Sequence, residues 1–193
     1  MNTPDLLPLF ESAILDLKKC SLEDCINSGI SSADVISQVK DITYGFIDKN
    51  TGERHDDRDW IHNCKNLSDY YETNFDPEVT LKNKLGICLD QSIAIKHLYN
   101  KLHPECECKI MALTKGRFGH AVPIIRDNDK WFYLENAWDK ERGWHGSFSS
   151  EAEIRDYLSH LYHKHHDKDN DDPVVVQTYE EYAGLTESFN IFI

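Results

Sequence analysis

The stretch Gly-Ile-Cys-Leu-Asp-Gln-Ser, residues 86–92, places a cysteine where a polar loop turns into a helix. Downstream of the loop, apolar side chains recur at the spacing of one helix face, and they are Ile87, Ala94, Ile95, Leu98 and Leu102. The dipeptide at 103–104, His-Pro, ends the run. This pattern predicts an amphipathic helix that carries Cys88 in its first turn.

A cysteine in that position has two interpretations. The unpaired N–H groups and the positive dipole end of a helix favour an anion, so the thiol is shifted towards the thiolate that attacks carbonyl groups. The alternative is a buried structural cysteine, because free cysteine is among the most buried residue types. The choice depends on whether the chain also supplies a base.

Composition limits the classes of protein to consider. The chain has 193 residues, of which 40% are hydrophobic, and this suits one domain with a sizeable core. A net charge of -13 without any basic cluster argues against nucleic acid as a partner. The N-terminus lacks the basic segment of a secretory signal, and no apolar run approaches the roughly 18 residues that cross a bilayer. We therefore expect a cytoplasmic protein that binds neither nucleic acid nor membrane.

The other sulfur and histidine side chains indicate neither a disulfide scaffold nor a metal site. Six cysteines are few for a chain of this length, although their even number leaves a secreted, disulfide-bonded protein open. We interpret the five besides Cys88 as structural thiols. Four histidines at positions 160, 163, 165 and 166 have no accompanying set of cysteine or carboxylate ligands, and the aspartates from 167 lack the glycine and glutamate of a calcium loop. We expect no metal.

Around the cysteine helix, the pattern predicts a mixed α+β chain. Helices are expected over residues 5–18 and from Ser31 or Ser32 through Val39, and a strand over 42–47 before a charged loop at 53–59. The aromatic residues between Trp60 and Phe75 are interpreted as core.

Three β-like segments follow the cysteine helix, over 108–113, 120–125 and 131–136, and the last two form an antiparallel hairpin. A capping box at Ser150 opens a helix, residues 163–172 are interpreted as a solvated loop, and short strands are expected at 174–176 and 189–193. The expected fold is a central helix carrying Cys88 packed on an antiparallel sheet.

The hairpin supplies the missing base. His120 follows a glycine at the start of one strand, and Glu135 lies on the partner strand, so pairing around residues 127–129 brings them together. The carboxylate can then accept the imidazole Nδ1 proton and stabilise the imidazolium that forms when Cys88 is deprotonated. The alternative is an ordinary strand histidine and a solvated carboxylate. Asp90 is interpreted as a first-turn carboxylate that the helix dipole favours.

Three pieces of sequence resemble the transglutaminase-like superfamily of papain-fold cysteine enzymes. They are Gly-Ile-Cys-Leu-Asp from 86, Gly-His-Ala from 119, and Trp-Phe-Tyr-Leu-Glu from 131, in the order typical of that family. The resemblance covers about residues 42–160, and the stretch 135–146 is similar to a bacterial subgroup of uncharacterised function. It implies a single domain, 1–193, with helical cover at 1–41, a catalytic core at 42–160, and a His/Asp-rich loop with C-terminal strands at 161–193.

The resemblance implies a cysteine-dependent acyl-transfer enzyme that acts on an amide of a protein or peptide through Cys88, His120 and Glu135, without a cofactor. Two departures stand out. Glu135 replaces the usual aspartate, and Asn136 could orient His120 instead, since only one of the two can face it along an alternating strand. A second oxyanion donor is not evident, and Trp60, Asn63, Tyr70 and Asn83 lie in the region where such enzymes often keep one. The alternative function is an inactive fold that serves as a protein-binding module.

Overall fold

The computed structural model describes residues 19–116, 118–166 and 172–185. The helix predicted over 5–18, the aspartate run from 167 to 171 and the strand predicted over 189–193 lie outside the described residues.

The main sheet has six strands, all paired antiparallel, in the order β1-β7-β6-β5-β4-β8. Its strands are β1 (Lys19–Cys20), β4 (Glu107–Lys115), β5 (Phe118–Asp127), β6 (Lys130–Glu135), β7 (Gly143–Phe148) and β8 (Val175–Thr178). A separate ribbon pairs β2 (Phe46–Ile47) with β3 (Arg54–His55). The α+β class and the β5-β6 hairpin predicted from the sequence are confirmed.

Seven α-helices occur within the described ranges. They are α1 (Leu22–Ser28), α2 (Ala33–Val39), α3 (Arg58–Asn63), α4 (Pro77–Asn83), α5 (Cys88–Leu102), α6 (Glu151–His165) and α7 (Tyr179–Leu185), with a 3-10 turn at Leu67–Asp69. The predicted cysteine helix is α5, and it ends at Leu102, with His103, the residue before the proline, as its C-cap. No helix in this part of the chain is long and apolar enough to span a membrane.

The two long helices pack on opposite faces of the sheet. Along β4, Ile110 and Ala112 join the core cluster that contains Cys88, whereas Met111 and Leu113 join the cluster of α6. Successive side chains of a strand point to opposite faces, so a strand with helices on both sides is apolar along its whole length. This layering places the front end of α5 directly against β5.

Several local predictions are wrong. Between 42 and 47 only Phe46 and Ile47 are paired as a strand, and the charged loop contains β3 and the start of α3. The helix that begins after Ser150 continues through His163 to His165, in place of the solvated loop predicted from 163. Helix α1, with its Ser21 cap, and strand β7 were not predicted at all.

The aromatic segment after Trp60 is only partly core. Ile61, Leu67 and Tyr71 are buried, but Trp60 is 38% exposed, Tyr70 39% and Phe75 55%. Trp60 stacks on the His55 ring, with the centroids 4.9 Å apart. A short helix and a 3-10 turn present only one side to the core, so aromatic density alone did not indicate which rings are buried.

Candidate active site

The loop before α5 is compact because its glycine has no side chain. A Cβ on Gly86 would lie 2.9 Å from the Asp90 Cβ and 3.0 Å from the Thr80 Cγ2. Residues 84–86 pair with residues 43–45 through three backbone hydrogen bonds. The glycine of the Gly-Ile-Cys motif is therefore required by close packing at the front of the cysteine helix.

The first turn of α5 has no side-chain cap. Its N-cap residue, Ile87, carries no acceptor, so the N–H groups of the first turn receive no bond from the cap. Four other helices have a capping oxygen that accepts a first-turn N–H, from Ser21, Asp57, Asp76 and Ser150. The uncapped donors beside Cys88 are suited to stabilising an anion.

Asp90 anchors this turn from inside. Its carboxylate accepts hydrogen bonds from the Tyr71 hydroxyl at 2.7 Å, the Asn74 N–H at 2.9 Å and the Ile87 N–H at 3.1 Å. Burial raises the pKa of Asp90 to about 6, against the lowering effect of these three bonds. The side chain holds the loops in place. The sequence predicted a carboxylate whose charge the helix dipole favours, whereas burial disfavours its charged form.

His120 and Glu135 form a direct pair. The His120 Nε2 lies 2.7 Å from the Glu135 Oε2, and the two side chains are 13% and 3% exposed. The other Glu135 oxygen accepts the backbone N–H groups of Ala137 and Trp138, both at 2.9 Å. The carboxylate was expected to bind Nδ1, and the structure shows Nε2 instead. Nδ1 is thereby left for the cysteine.

Cys88 is close enough to the imidazole to affect its ionisation. Burial lowers the pKa of His120, but the charge of Glu135, the hydrogen bond to Cys88 and the hydrogen bond to Glu135 outweigh it and raise the pKa to about 10. Burial raises the pKa of Glu135. The charge of His120, the hydrogen bond from His120 and the two backbone N–H groups together outweigh burial, so the pKa is lowered overall. At neutral pH the pair is therefore imidazolium and carboxylate, with the Cys88 sulfur close to it.

Ser92 fixes the distance between the helix and the strand. Its hydroxyl lies 2.7 Å from the Cys88 carbonyl and 3.1 Å from the Ala121 carbonyl, and its single hydrogen is shared between these two acceptors. Ala121 directly follows His120. One buried side chain thus connects the backbones that carry the sulfur and the imidazole.

Asn136 points away from His120, so Glu135 is the residue that faces the imidazole. The Asn136 Nδ2 donates to the Val39 carbonyl at 3.0 Å and to the Gln91 Oε1 at 2.7 Å, while the Gln91 Nε2 donates to the Gly86 carbonyl at 2.7 Å. This chain of amides joins the front of α5 to the end of β6. Arg142 completes it by donating to the Asn136 Oδ1.

A cavity of about 400 Å³ opens onto the imidazole. His120 and Gly119 line it, together with Tyr44, Arg58, Asp59, His62, Ala137, Trp138, Asp139, Lys140, Tyr162, His165 and His166. The His120 ring contacts Trp138 edge to face, with 5.5 Å between centroids. Cys88 is 1% exposed and does not line the cavity, so the sulfur lies beneath its wall.

The four residues considered as oxyanion donors are not part of this lining. Trp60 and Tyr70 pack on each other at the surface, the Asn63 side chain donates to the Asp59 carbonyl, and Asn83 contributes only its carbonyl, to Arg54. Tyr44 and Arg58 occupy that wall, and sequence reasoning missed both. The position of Tyr44 results from the pairing of residues 43–45 with 84–86, which no local pattern indicates.

The histidines near the end of α6 were the other site considered. His165 and His166 line the cavity, and the His165 Nε2 lies 3.1 Å from the Glu141 Oε1. Within the described ranges, no three His, Cys, Asp or Glu side chains are grouped so that they could hold a metal ion.

Comparison with known proteins found no matching family model, no matching curated protein and no matching solved structure.

Proposed function

We propose that this protein is a cysteine-dependent acyl-transfer enzyme with a transglutaminase-like, papain-type fold, and that Cys88, His120 and Glu135 are its catalytic residues. The observation that carries the proposal is the position of the His120 imidazole, which binds Glu135 at 2.7 Å through Nε2 and is close enough to Cys88 for that residue to raise its pKa. A nucleophile, a base and an orienting carboxylate in this order are the parts that acyl transfer needs.

The reaction follows from these positions. The Cys88 thiolate attacks the amide carbon, the S–C bond forms, and the carbonyl oxygen becomes an oxyanion near the uncapped N–H groups of α5. The His120 imidazolium gives its proton to the nitrogen as the C–N bond breaks. Glu135 holds the ring and balances its charge. Water then releases the acyl group in a peptidase or amidase, and an amine takes it in a transglutaminase.

Alkylation of Cys88 tests the thiolate. All six cysteines are free, and Cys20, Cys64 and Cys106 are more exposed than Cys88. With iodoacetamide at pH 6, we expect Cys88 to be labelled before these three, because the imidazolium of His120 stabilises its thiolate. Peptide mass mapping after short labelling times gives the order, and His120→Ala should delay Cys88 alone.

Acylation tests the chemistry itself. A p-nitrophenyl ester should add an acyl group that intact mass finds on wild-type protein and not on Cys88→Ala. Loss of the adduct in buffer alone indicates hydrolysis, and faster loss with an added primary amine indicates transfer. If Cys20, Cys64 and Cys106 are labelled first and no acyl adduct forms, the proposed function is wrong.

The second candidate is a protein-binding module on the same fold, with an inert Cys88. The observation that favours it is the burial of the sulfur beneath the cavity wall. In that case Cys88 would react only under denaturing conditions, and His120→Ala would leave its labelling rate unchanged.

We also propose that the protein works in a reducing compartment such as the cytoplasm. The six free thiols support this, because reducing compartments keep cysteines unpaired. Thiol counting on protein purified without reductant should give six.

A further inference from the structure

Tyr44 lies at the wall of the cavity beside the cysteine loop. The Gly45 N–H donates to the Gly86 carbonyl at 3.3 Å, and the Gly86 N–H donates to the Thr43 carbonyl at 3.1 Å. These two bonds flank Tyr44 and attach it to the residues that immediately precede Ile87 and Cys88. Its position relative to the sulfur is therefore set by backbone pairing.

The Tyr44 side chain is 7% exposed and packs in the same core cluster as Cys88. It also lines the cavity with His120, and the charge of Cys88 acts on its phenol, so the ring is near both the sulfur and the space that would hold a substrate. No residue of the described ranges hydrogen-bonds to its phenol oxygen. Its oxygen is reachable from the cavity, where a bound ligand can accept the phenol hydrogen.

Arg58 holds the ring in place. Its guanidinium carbon lies 4.2 Å from the centre of the Tyr44 ring, Nη1 donates to the Ala137 carbonyl at 2.8 Å, and Nη2 donates to the Asp139 Oδ1 at 3.2 Å. Ala137 and Asp139 follow Glu135 closely in the chain. The wall that contains Tyr44 is thus attached to the segment that orients His120.

We infer that the Tyr44 phenol donates a hydrogen bond to the oxyanion of the tetrahedral intermediate at Cys88, so that it is a further catalytic residue of the reaction proposed above. The inference rests on that proposed function. It supplies the side-chain donor that the four upstream candidates do not provide. Burial raises the pKa of Tyr44 well above its ordinary value, so the phenol keeps its proton as a donor at any pH at which the protein works.

The variant Tyr44→Phe tests this role because two reactions of the same sulfur differ in their need for a donor. Acylation by a p-nitrophenyl ester passes through an oxyanion, whereas alkylation by iodoacetamide does not. We expect acylation of Tyr44→Phe to fall by about 10- to 1000-fold and alkylation to stay within about twofold of wild type. Single-turnover release of p-nitrophenol and mass-mapped alkylation give the two rates.

Tyr99→Phe is the matched control, since it removes a phenol hydroxyl that is buried in the core away from the cavity. Both of its rates should equal those of wild type. If Tyr44→Phe does not fold, as judged by its melting curve, 3-fluorotyrosine at position 44 replaces it. The more acidic phenol should then change the acylation rate and leave alkylation unchanged.

Equal acylation of wild type and Tyr44→Phe would overturn the inference, as would equal slowing of both reactions, because Tyr44 would then act on the thiolate. If wild-type Cys88 forms no acyl adduct at all, the proposed function fails and this inference falls with it. The acylation of wild type therefore distinguishes the two failures.

Discussion

At the scale of single residues, the site contains two buried carboxylates that accept hydrogen bonds from immediate neighbours. Glu135 receives three hydrogen bonds, one of them from the imidazole, and Asp90 receives three without any cation. The two carboxylates consequently have opposite pKa shifts. The pH dependence of stability and of Cys88 alkylation in variants of the two carboxylates therefore tests their different roles.

Glu135→Gln keeps the shape of the side chain and removes its charge. The pKa of His120 should fall from about 10 towards its ordinary 6.5, because the Glu135 charge is a main cause that raises it. The imidazolium is then lost near neutral pH, and alkylation of Cys88 at pH 8 should slow by about tenfold or more. NMR titration of the histidine and timed alkylation measure the two effects.

The control for this variant is Glu78→Gln. The Glu78 Oε1 lies 3.2 Å from the His97 Nε2, in an exposed pair outside the cavity. Its alkylation profile should match wild type. An unchanged profile in Glu135→Gln as well would contradict the role of that carboxylate.

Asp90→Asn tests the opposite shift. The folded-state pKa of Asp90 is about 6 and its ordinary value is 3.8, so the stability that it contributes is present below 3.8 and is lost as pH rises through 6. The unfolding free energy of the asparagine variant, relative to that of wild type, should therefore increase as the pH rises from 4 to 7. Urea titrations at the two pH values measure the difference.

Glu135→Gln provides the contrast. The pKa of Glu135 is lowered in the folded state, so its contribution is present above 4.5 and is lost as pH falls. Between pH 3 and pH 5 this variant should lose stability relative to wild type as pH rises. The same trend in both variants would show that burial of Asp90 does not control its ionisation.

At the scale of elements, the site depends on the contact between α5 and β5. The sulfur belongs to the helix and the imidazole to the strand. The packing between these two elements therefore sets the position of the sulfur relative to the imidazole. Ser92 and the Gln91–Asn136 amides provide that contact with directional bonds. Apolar packing alone would allow the helix to slide.

Ser92→Ala removes the hydroxyl that links Cys88 and Ala121. We expect a loss of about 1–2 kcal/mol in the free energy of unfolding, because the buried Ala121 carbonyl loses one of its hydrogen bonds. We also expect slower acylation of Cys88 with unchanged labelling of the other thiols. Urea unfolding and ester single turnovers measure both.

Ser37→Ala is the matched variant. The Ser37 hydroxyl donates to the Asp34 carbonyl at 2.8 Å on the exposed side of α2. Its unfolding free energy should change by less than about 0.5 kcal/mol. Similar losses in both variants would mean that the contact between α5 and β5 does not depend on Ser92.

At the scale of the whole molecule, the sheet is enclosed between α5 and α6, and the cavity lies where α3, α6 and the segment after β6 meet. The sequence carries a net charge of -13. A charge of this size acts on approaching substrates over a distance of about one Debye length, roughly 8–10 Å at ordinary salt.

We therefore predict that cationic peptide substrates acylate Cys88 faster than acidic peptides of the same length at low ionic strength. The advantage should shrink by about tenfold between roughly 10 mM and 1 M NaCl, because salt screens exposed charges. Stopped-flow rates with the paired peptides measure it. A salt-independent ratio would show that contacts inside the cavity, not the overall charge, select the substrate.

Local patterns predicted the parts of this fold that depend on neighbours in the chain. The helix that begins at Cys88, its end at His103-Pro104, the β5-β6 hairpin and the Ser150 cap follow from spacing and turn chemistry within about fifteen residues. Strand alternation indicated that only one of Glu135 and Asn136 can face His120, and the structure shows that it is Glu135. Strand β7 was missed because its glycines and polar residues lack a β-like pattern.

The sequence by itself determined that a cysteine, a histidine and a carboxylate occupy the front of a helix and two paired strands. Only the tertiary structure decided that Nε2 binds Glu135, that Cys88 lies beneath the wall, and that Tyr44 and Arg58 form that wall. The physical reason is chain separation. Tyr44 meets the cysteine loop through pairing between residues about forty positions apart, and such contacts are selected by packing of the whole core rather than by local propensity.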